Sequence, residues 1–192
     1  MNVLSEKISE KEELLFQTTL KLVFENGFHG TSMSMISKES GVAIGTIYHY
    51  FKSKDELLLT LIRHIKQLGF EESFGKDNRK LDYQERFKLL WRHLYEHLVA
   101  HPEFMSYITQ FYSSPFREKE SNDSICFQTE LGLFIQEGQR QNLMKDISHD
   151  LVSSIFLGSV MNCAKQYVHK KKKLKQSEME TLANIIWNGI KS

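Results

Sequence analysis

Thr46, Tyr48, His49, Tyr50 and Lys54 fall within nine residues of one another, and their side chains are suited to making contacts rather than breaking bonds. Three consecutive ring-bearing residues on a short helical pattern are wasteful on a surface that meets only water. Hydroxyls and ring nitrogens beside aromatic faces match phosphate oxygens and base edges. Lys54 adds a cation at the first turn of the next helix, where the amides and the helix dipole already favour an anion. Recognition of a nucleic acid is the chemistry these residues fit.

Such contacts need a rigid support, and the flanking pattern supplies one. Ser34 to Ser40 reads as a short helix with Met33, Ile36 and Ser37 turned inward and Ser34, Lys38 and Glu39 in water. Gly41 can take a positive φ and reverse the chain, and Val42 fills the gap between the two helices. From Thr46 to Phe51, Ile47 and Phe51 at i and i+4 face the core. Two short helices joined by a tight glycine turn form a helix-turn-helix, whose second helix enters the DNA major groove.

The run Gly41-Val42-x-x-Gly45-Thr46-Ile47-Tyr48-x-Tyr50-Phe51-x-Ser53-Lys54-x-Glu56-Leu57 closely resembles the DNA-binding signature of TetR-type transcriptional regulators, and Gly27-Phe28-x-x-Thr31-Ser32 fits it too. The resemblance covers about the first third of the chain. Ser37 departs from it, standing where the family usually has alanine, but a small residue still fits. The resemblance adds Gly45 to the DNA face and gives Thr31 and Ser34 phosphate contacts. It also implies a homodimer on a near-palindromic double-stranded operator. A C-terminal domain would then bind a small apolar or amphipathic inducer that shifts the separation of the recognition helices.

Composition agrees with a folded regulator. Of 192 residues, 41% are hydrophobic and 11% aromatic, which argues against disorder and allows a real core. No apolar run is long enough for a membrane span, and the acidic start (Glu6, Glu10, Glu12, Glu13) is unlike a signal peptide, so a cytoplasmic protein is expected. Cys126 and Cys163 are isolated and read as small buried hydrophobes. The net charge is only +1, and residues 27–66 carry five basic against three acidic side chains. Tight DNA binding would then depend on doubling the contacts in a dimer rather than on a general basic coat.

The remaining pattern is helical throughout, so the expected fold is all-α: an N-terminal three-helix helix-turn-helix domain over 1–53, a linking helix over 54–68, and a helical ligand-binding and dimerisation domain over 69–192. Ser9-x-x-Glu12, Ser53-x-x-Glu56 and Ser177-x-x-Glu180 read as capping boxes. Leu15, Thr18 or Thr19, Leu22 and Val23 give the first helix an inward stripe that ends at Asn26-Gly27. Gly69 to Arg79 reads as a loop, and Pro102 and Pro115 as helix starts. Ser121 to Ser124 is a second loop signal, followed by a helix from Ile125 to Gly138. Ile147, Leu151, Ile155, Val160, Ala164 and Val168 form one late stripe, and Leu182, Ile185, Ile186 and Ile190 another. Ile155, Ser159, Cys163, Ile186 and Ile190 are the candidate dimer interface, two helices per chain making a four-helix contact.

Three further constellations have a functional and a plainer reading. Phe87, Trp91, Tyr95, Phe104, Tyr107, Phe111 and Phe134 are each core residues by type, yet so many large rings make a ligand cavity plausible. His93, His97 and His101 share one helix side, where two could chelate a metal; helix-flank histidines bordering a pocket are commoner, and no metal or other cofactor is expected. The lysines from Lys170 to Lys173, with Lys175, read as a solvated helix end. No phosphate loop, nucleophile elbow or ordered catalytic set is present, which leaves a ligand-responsive repressor as the expectation and no enzyme. The alternative is a helical scaffold that acts through protein partners without selective DNA binding.

Overall fold

The computed structural model describes residues 8–119 and 127–192; Cys126, the Ser121 to Ser124 loop signal and the start of the helix at Ile125 fall outside them. The helices are α1 (Glu10–Gly30), α2 (Met33–Ser40), α3 (Ile44–Tyr50), α4 (Lys54–Ser73), α5 (Tyr83–Ala100), α6 (Pro102–Tyr112), α7 (Phe127–Arg140), α8 (His149–Lys170) and α9 (Gln176–Ile190), with a 3-10 turn at Pro115–Lys119. The described residues contain no strand, only an isolated bridge between Met144 and Lys191. The fold is all-α.

Two compact units divide the chain. One holds residues 8–62 and 106–119, the other 63–105 and 127–192. The second half of α6 and the 3-10 turn therefore pack with the N-terminal helices.

In the N-terminal unit, Ser9 caps α1 through the expected box: its hydroxyl accepts from the Glu12 amide at 3.2 Å, and the Glu12 carboxylate accepts from the Ser9 amide at 3.0 Å. Leu15, Thr18, Thr19, Leu22 and Val23 are buried as the stripe requires, together with Phe16 and Leu20. Gly27 breaks α1 with φ +73°, a conformation that glycine tolerates and side-chain-bearing residues resist. The core is closed by Ile36, Ile47, Phe51, Leu57, Leu58 and Leu61, each at most 2% exposed. Every such side chain contributes roughly 1.5–3 kcal/mol on leaving water.

In the second unit α5 packs on α8 and α9, and α7 on α8. The expected loop from Gly69 is instead helix as far as Ser73. Ile65, Gly69 and Ser73 are buried at i, i+4 and i+8, so the packing face continues, and a Cβ on Gly69 would sit 3.5 Å from Leu94 Cδ1. The true loop, 74–82, is tied to α5 by a two-pronged ion pair, with Arg86 Nε and Nη2 donating to the Asp77 carboxylate at 2.9 and 2.7 Å. Both proline starts appear, Pro102 opening α6 and Pro115 the 3-10 turn. The cap expected at Ser177 does not form: α9 begins earlier, with the Glu178 carboxylate accepting from the Lys175 amide at 2.7 Å.

Candidate nucleic-acid interface

The helix-turn-helix is built from short-range bonds. Ser32 caps α2, its hydroxyl accepting from the Met35 amide at 3.2 Å. Gly41 ends α2 at φ 71°, ψ 3°, the left-handed geometry that a chain reversal needs. Ser37 donates to the Val42 carbonyl at 2.7 Å, and Ser40 accepts from the Val42 amide at 3.2 Å. The two serines satisfy both backbone groups of the residue that plugs the turn, which gives the departure at Ser37 a structural purpose. Glu56 supplies half of the expected box on α4: the Ser53 hydroxyl accepts from its amide at 3.1 Å, while its carboxylate takes the Lys52 amide.

On α3, Ile47 and Phe51 point inward as expected, and the opposite side is left open. Tyr48 is 48% exposed, His49 and Gly45 are exposed, and Thr46 and Tyr50 are half-buried. Tyr50 lies edge-on to His49, ring centres 5.9 Å apart, and leans on Phe51 at 6.3 Å. Ser34 is exposed on α2. Gly45 is helical, and a Cβ there would meet nothing within 4 Å. Glycine costs a helix about 1 kcal/mol relative to alanine. Neither crowding nor a positive φ within the chain accounts for it.

Two residues assigned to phosphate have internal duties. Thr31 is 1% exposed and its hydroxyl donates to the Gly27 carbonyl at 2.9 Å, so that hydroxyl braces the turn instead of facing solvent. The Lys54 ammonium donates to the Phe28 carbonyl, and partial burial draws its pKa below the ordinary lysine value. Each acceptor is one of the backbone carbonyls left unpaired where α1 ends at Gly30.

The expected ligand-pocket rings are shared between the two units. Tyr107 and Phe111 lie in the N-terminal unit, Tyr107 donating to the Leu58 carbonyl at 2.9 Å. The others, in the second unit, pack against rings: Phe87 with Phe156 at 5.2 Å and Trp187 at 5.4 Å, Trp91 stacked on Tyr95 at 5.6 Å, and Phe134 stacked on Tyr83 at 4.4 Å. Phe104 stacks on His101 at 4.8 Å. Two surface grooves lie elsewhere, one of about 310 Å³ between α5 and α9 and one of about 660 Å³ between α7 and α8, and no ring from the expected set lines either. His93 Nδ1 and His97 Nε2 are buried without a hydrogen-bond partner, and burial pushes both imidazoles below their usual pKa. Among the described residues no three His, Cys, Asp or Glu side chains are placed to share a metal ion.

The late helices correct the expected interface. Ile190 is 3% exposed and belongs to the core of its own chain with Met179, Ala183 and Trp187. Ser159 accepts from Trp91 Nε1 at 2.9 Å and donates to the Phe156 carbonyl at 2.7 Å, so its hydroxyl is also used internally. Cys163 and Ile186 are half-buried. The inward face of α8 is Val152, Phe156, Val160 and Ala164, whereas Leu151 and Ile155 lie open at 54% and 43%. On α9 the open residue is Ile185, at 63%.

A helix-turn-helix with an open reading helix, followed by a separate helical unit, defines a DNA-binding transcriptional regulator with a second, non-reading domain. Residues 11–61 match the family model of bacterial regulatory proteins of the tetR family, and residues 82–191 match the tetracyclin repressor-like C-terminal domain. The chain belongs to the TetR family. An uncharacterised HTH-type transcriptional regulator of Haemophilus influenzae is 28% identical over 180 residues, covering 93% of this chain and 94% of its own. A TetR-family regulator from Shewanella superposes with a TM-score of 0.83 at 23% identity, over 96% of this chain and all of its own. FadR of Bacillus subtilis, crystallised in complex with stearoyl-CoA, gives 0.75 at 20% identity, over 92% and 95% of the two chains. At those identities the two structures share the fold with this protein.

Proposed function

We propose that this protein is a homodimeric repressor that binds a near-palindromic operator and is released from it by a small apolar or amphipathic inducer. The open face of α3, with Gly45 uncrowded among Thr46, Tyr48, His49 and Tyr50, is the observation that carries the reading. Each protomer places α3 in the major groove, with half-sites about one helical turn, roughly 34–36 Å, apart or slightly more. Ser34 and Lys54 lie beside phosphate, while Thr31 holds the turn that presents them. The helix-turn-helix within residues 1–53 reads DNA, α4 follows it, and the second unit binds ligand and partner. Such a protein works where the chromosome is, in the cytoplasm.

Two features support the dimer. Leu151 and Ile155 on α8 and Ile185 on α9 are open apolar residues, and Gly158 and Gly189 on the same helices are exposed with nothing within 4 Å of a Cβ. Glycine at both places suits close approach of helices from a second copy. Ligand release rests on the family and on the stearoyl-CoA held by the Bacillus subtilis relative. Here Phe87, Trp91, Tyr95, Phe104 and Phe134, all in the second unit, are the candidate pocket walls, each packed against another ring that ligand would displace. The inducer shifts the balance between two dimer geometries by no more than its difference in affinity for them.

Selection of bound duplexes from a random library at near-physiological salt tests the reading. An enriched inverted repeat is the expected result. Failure to enrich any sequence, repeated after unfolding and refolding to strip ligand, would instead favour a scaffold acting through protein partners.

A further inference from the structure

The break in α1 has a second consequence. Gly27 turns the chain out of helical geometry at φ 73°, ψ 172°, so the Phe28 amide loses its place in the helical ladder. Its acceptor is Gln110 Oε1, at 3.1 Å, from a residue 82 positions away on α6. The same amide group reaches back across the break, Gln110 Nε2 donating to the Val23 carbonyl at 3.3 Å and to Ser106 Oγ at 3.2 Å. A Cβ on Gly27 would stand 3.3 Å from Gln110 Oε1, tighter than side-chain-bearing residues usually allow. One side chain thus bonds both sides of the broken helix.

The segment held in this way leads directly to the reading apparatus. The Phe28 carbonyl takes the Lys54 ammonium from the first turn of α4, and the Gly27 carbonyl takes the Thr31 hydroxyl just before α2. Phe28 packs on Tyr107 at 4.8 Å and on Phe116 at 5.9 Å. α2 precedes the reading helix and α4 follows it, so the turn at 27–31 meets the supports on both sides of α3.

We propose that Gln110 is a positioning residue for DNA reading: by splicing the break in α1 it sets where α2 and α4 begin, and with them the pose of α3. This rests on the DNA-binding reading above. At neutral pH an amide suits the role, since it accepts from Phe28 and donates to Val23 with one planar group, which an ionised carboxylate cannot do.

The test uses the full chain, its selected operator, and two variants compared with wild type at each pH. Gln110→Glu keeps the acceptor for Phe28, but its ionised form has no proton for the Val23 carbonyl. Lowering the pH restores an O–H in that place. At pH 8 it should bind about tenfold more weakly than wild type, the scale of one lost and one repulsive hydrogen-bond contact. The ratio to wild type should recover as the carboxyl protonates, while Gln110→Met, which lacks both bonds at any pH, stays about tenfold weak throughout. Both should keep the wild-type helical content and dimer.

A Gln110→Glu ratio that ignores pH overturns the proposal, as does wild-type affinity in Gln110→Met. Global unfolding of Gln110→Met also overturns it, by making Gln110 a general stability residue. Should Gln110→Glu unfold at pH 8, the methionine variant decides the matter. If wild type selects no operator, the functional reading fails along with this one; if wild type binds and the variants match it, only the role of Gln110 fails.

Discussion

Gly45 separates what a residue does for the fold from what it does for the partner. Because a Cβ there meets nothing and the residue is helical, Gly45→Ala should raise stability by about 0.5–1 kcal/mol in thermal or denaturant melts. Gly45→Leu should fold equally well yet lose at least about tenfold in operator affinity, from a side chain standing where DNA approaches. Misfolding of the leucine variant would count against the open-face reading. Lys54 makes the opposite case, since its ammonium already serves the Phe28 carbonyl. Lys54→Ala should therefore lower the melting midpoint and also weaken all DNA sequences alike, reducing the salt slope by about one. An unaltered slope beside a lowered midpoint would leave Lys54 a purely structural residue. His93 and His97 give a pH dependence. Their folded pKa values lie below the ordinary histidine value, so the unfolded chain binds more protons, and stability present above about pH 6.5 is lost as the pH falls. The double variant His93→Gln with His97→Gln should flatten the fall in melting midpoint between pH 7 and 5. The Glu72 carboxylate, held low by Lys76, titrates in the same direction, so the comparison with wild type is what isolates the imidazoles.

At the scale of elements, α8 and α9 each divide into two faces. The inward faces of Val152, Phe156, Val160 and Ala164 and of Met179, Ala183, Trp187 and Ile190 are used within the chain. The outer apolar residues, Leu151, Ile155 and Ile185, lie open, and in the proposed dimer they face the partner. Ile185→Glu should leave the melting of a monomer cooperative but reduce the solution mass to that of one chain, read by light scattering at micromolar concentration. A variant that stays dimeric there would move the interface elsewhere. The sequence stripes for these helices mixed the two faces. Leu151 and Ile155 share a helix with the true core positions, and type alone cannot tell an apolar residue facing its own chain from one facing a copy. For α2 and α3 the stripe was correct, because a short helix with one narrow apolar face has a single way to bury it.

For the whole molecule, a net charge of +1 leaves little general attraction to DNA. In the proposed dimer, affinity comes from two reading heads bound at once, so the salt dependence is a property of the assembly. The monomeric Ile185→Glu variant should show about half the wild-type slope of log affinity against log salt, since it neutralises half as many phosphates. Equal slopes would mean that one protomer makes all the contacts.

The sequence alone determined the all-α class, the helix-turn-helix and its glycine reversal, the Ser9 cap and the inward face of the helix after the turn. Each depends on spacings of a few residues and on local backbone chemistry, which the chain order contains directly. Only the tertiary structure decided that Ile190 is core, that Thr31 and Lys54 brace a break in α1, that Tyr107 and Phe111 pack with the N-terminal helices, and that Gln110 bridges that break. Those facts depend on which distant groups meet. Lys54 and Gln110 reach Phe28 from 26 and 82 residues away, and Tyr107 reaches Leu58 from 49, so no local pattern encodes these pairings.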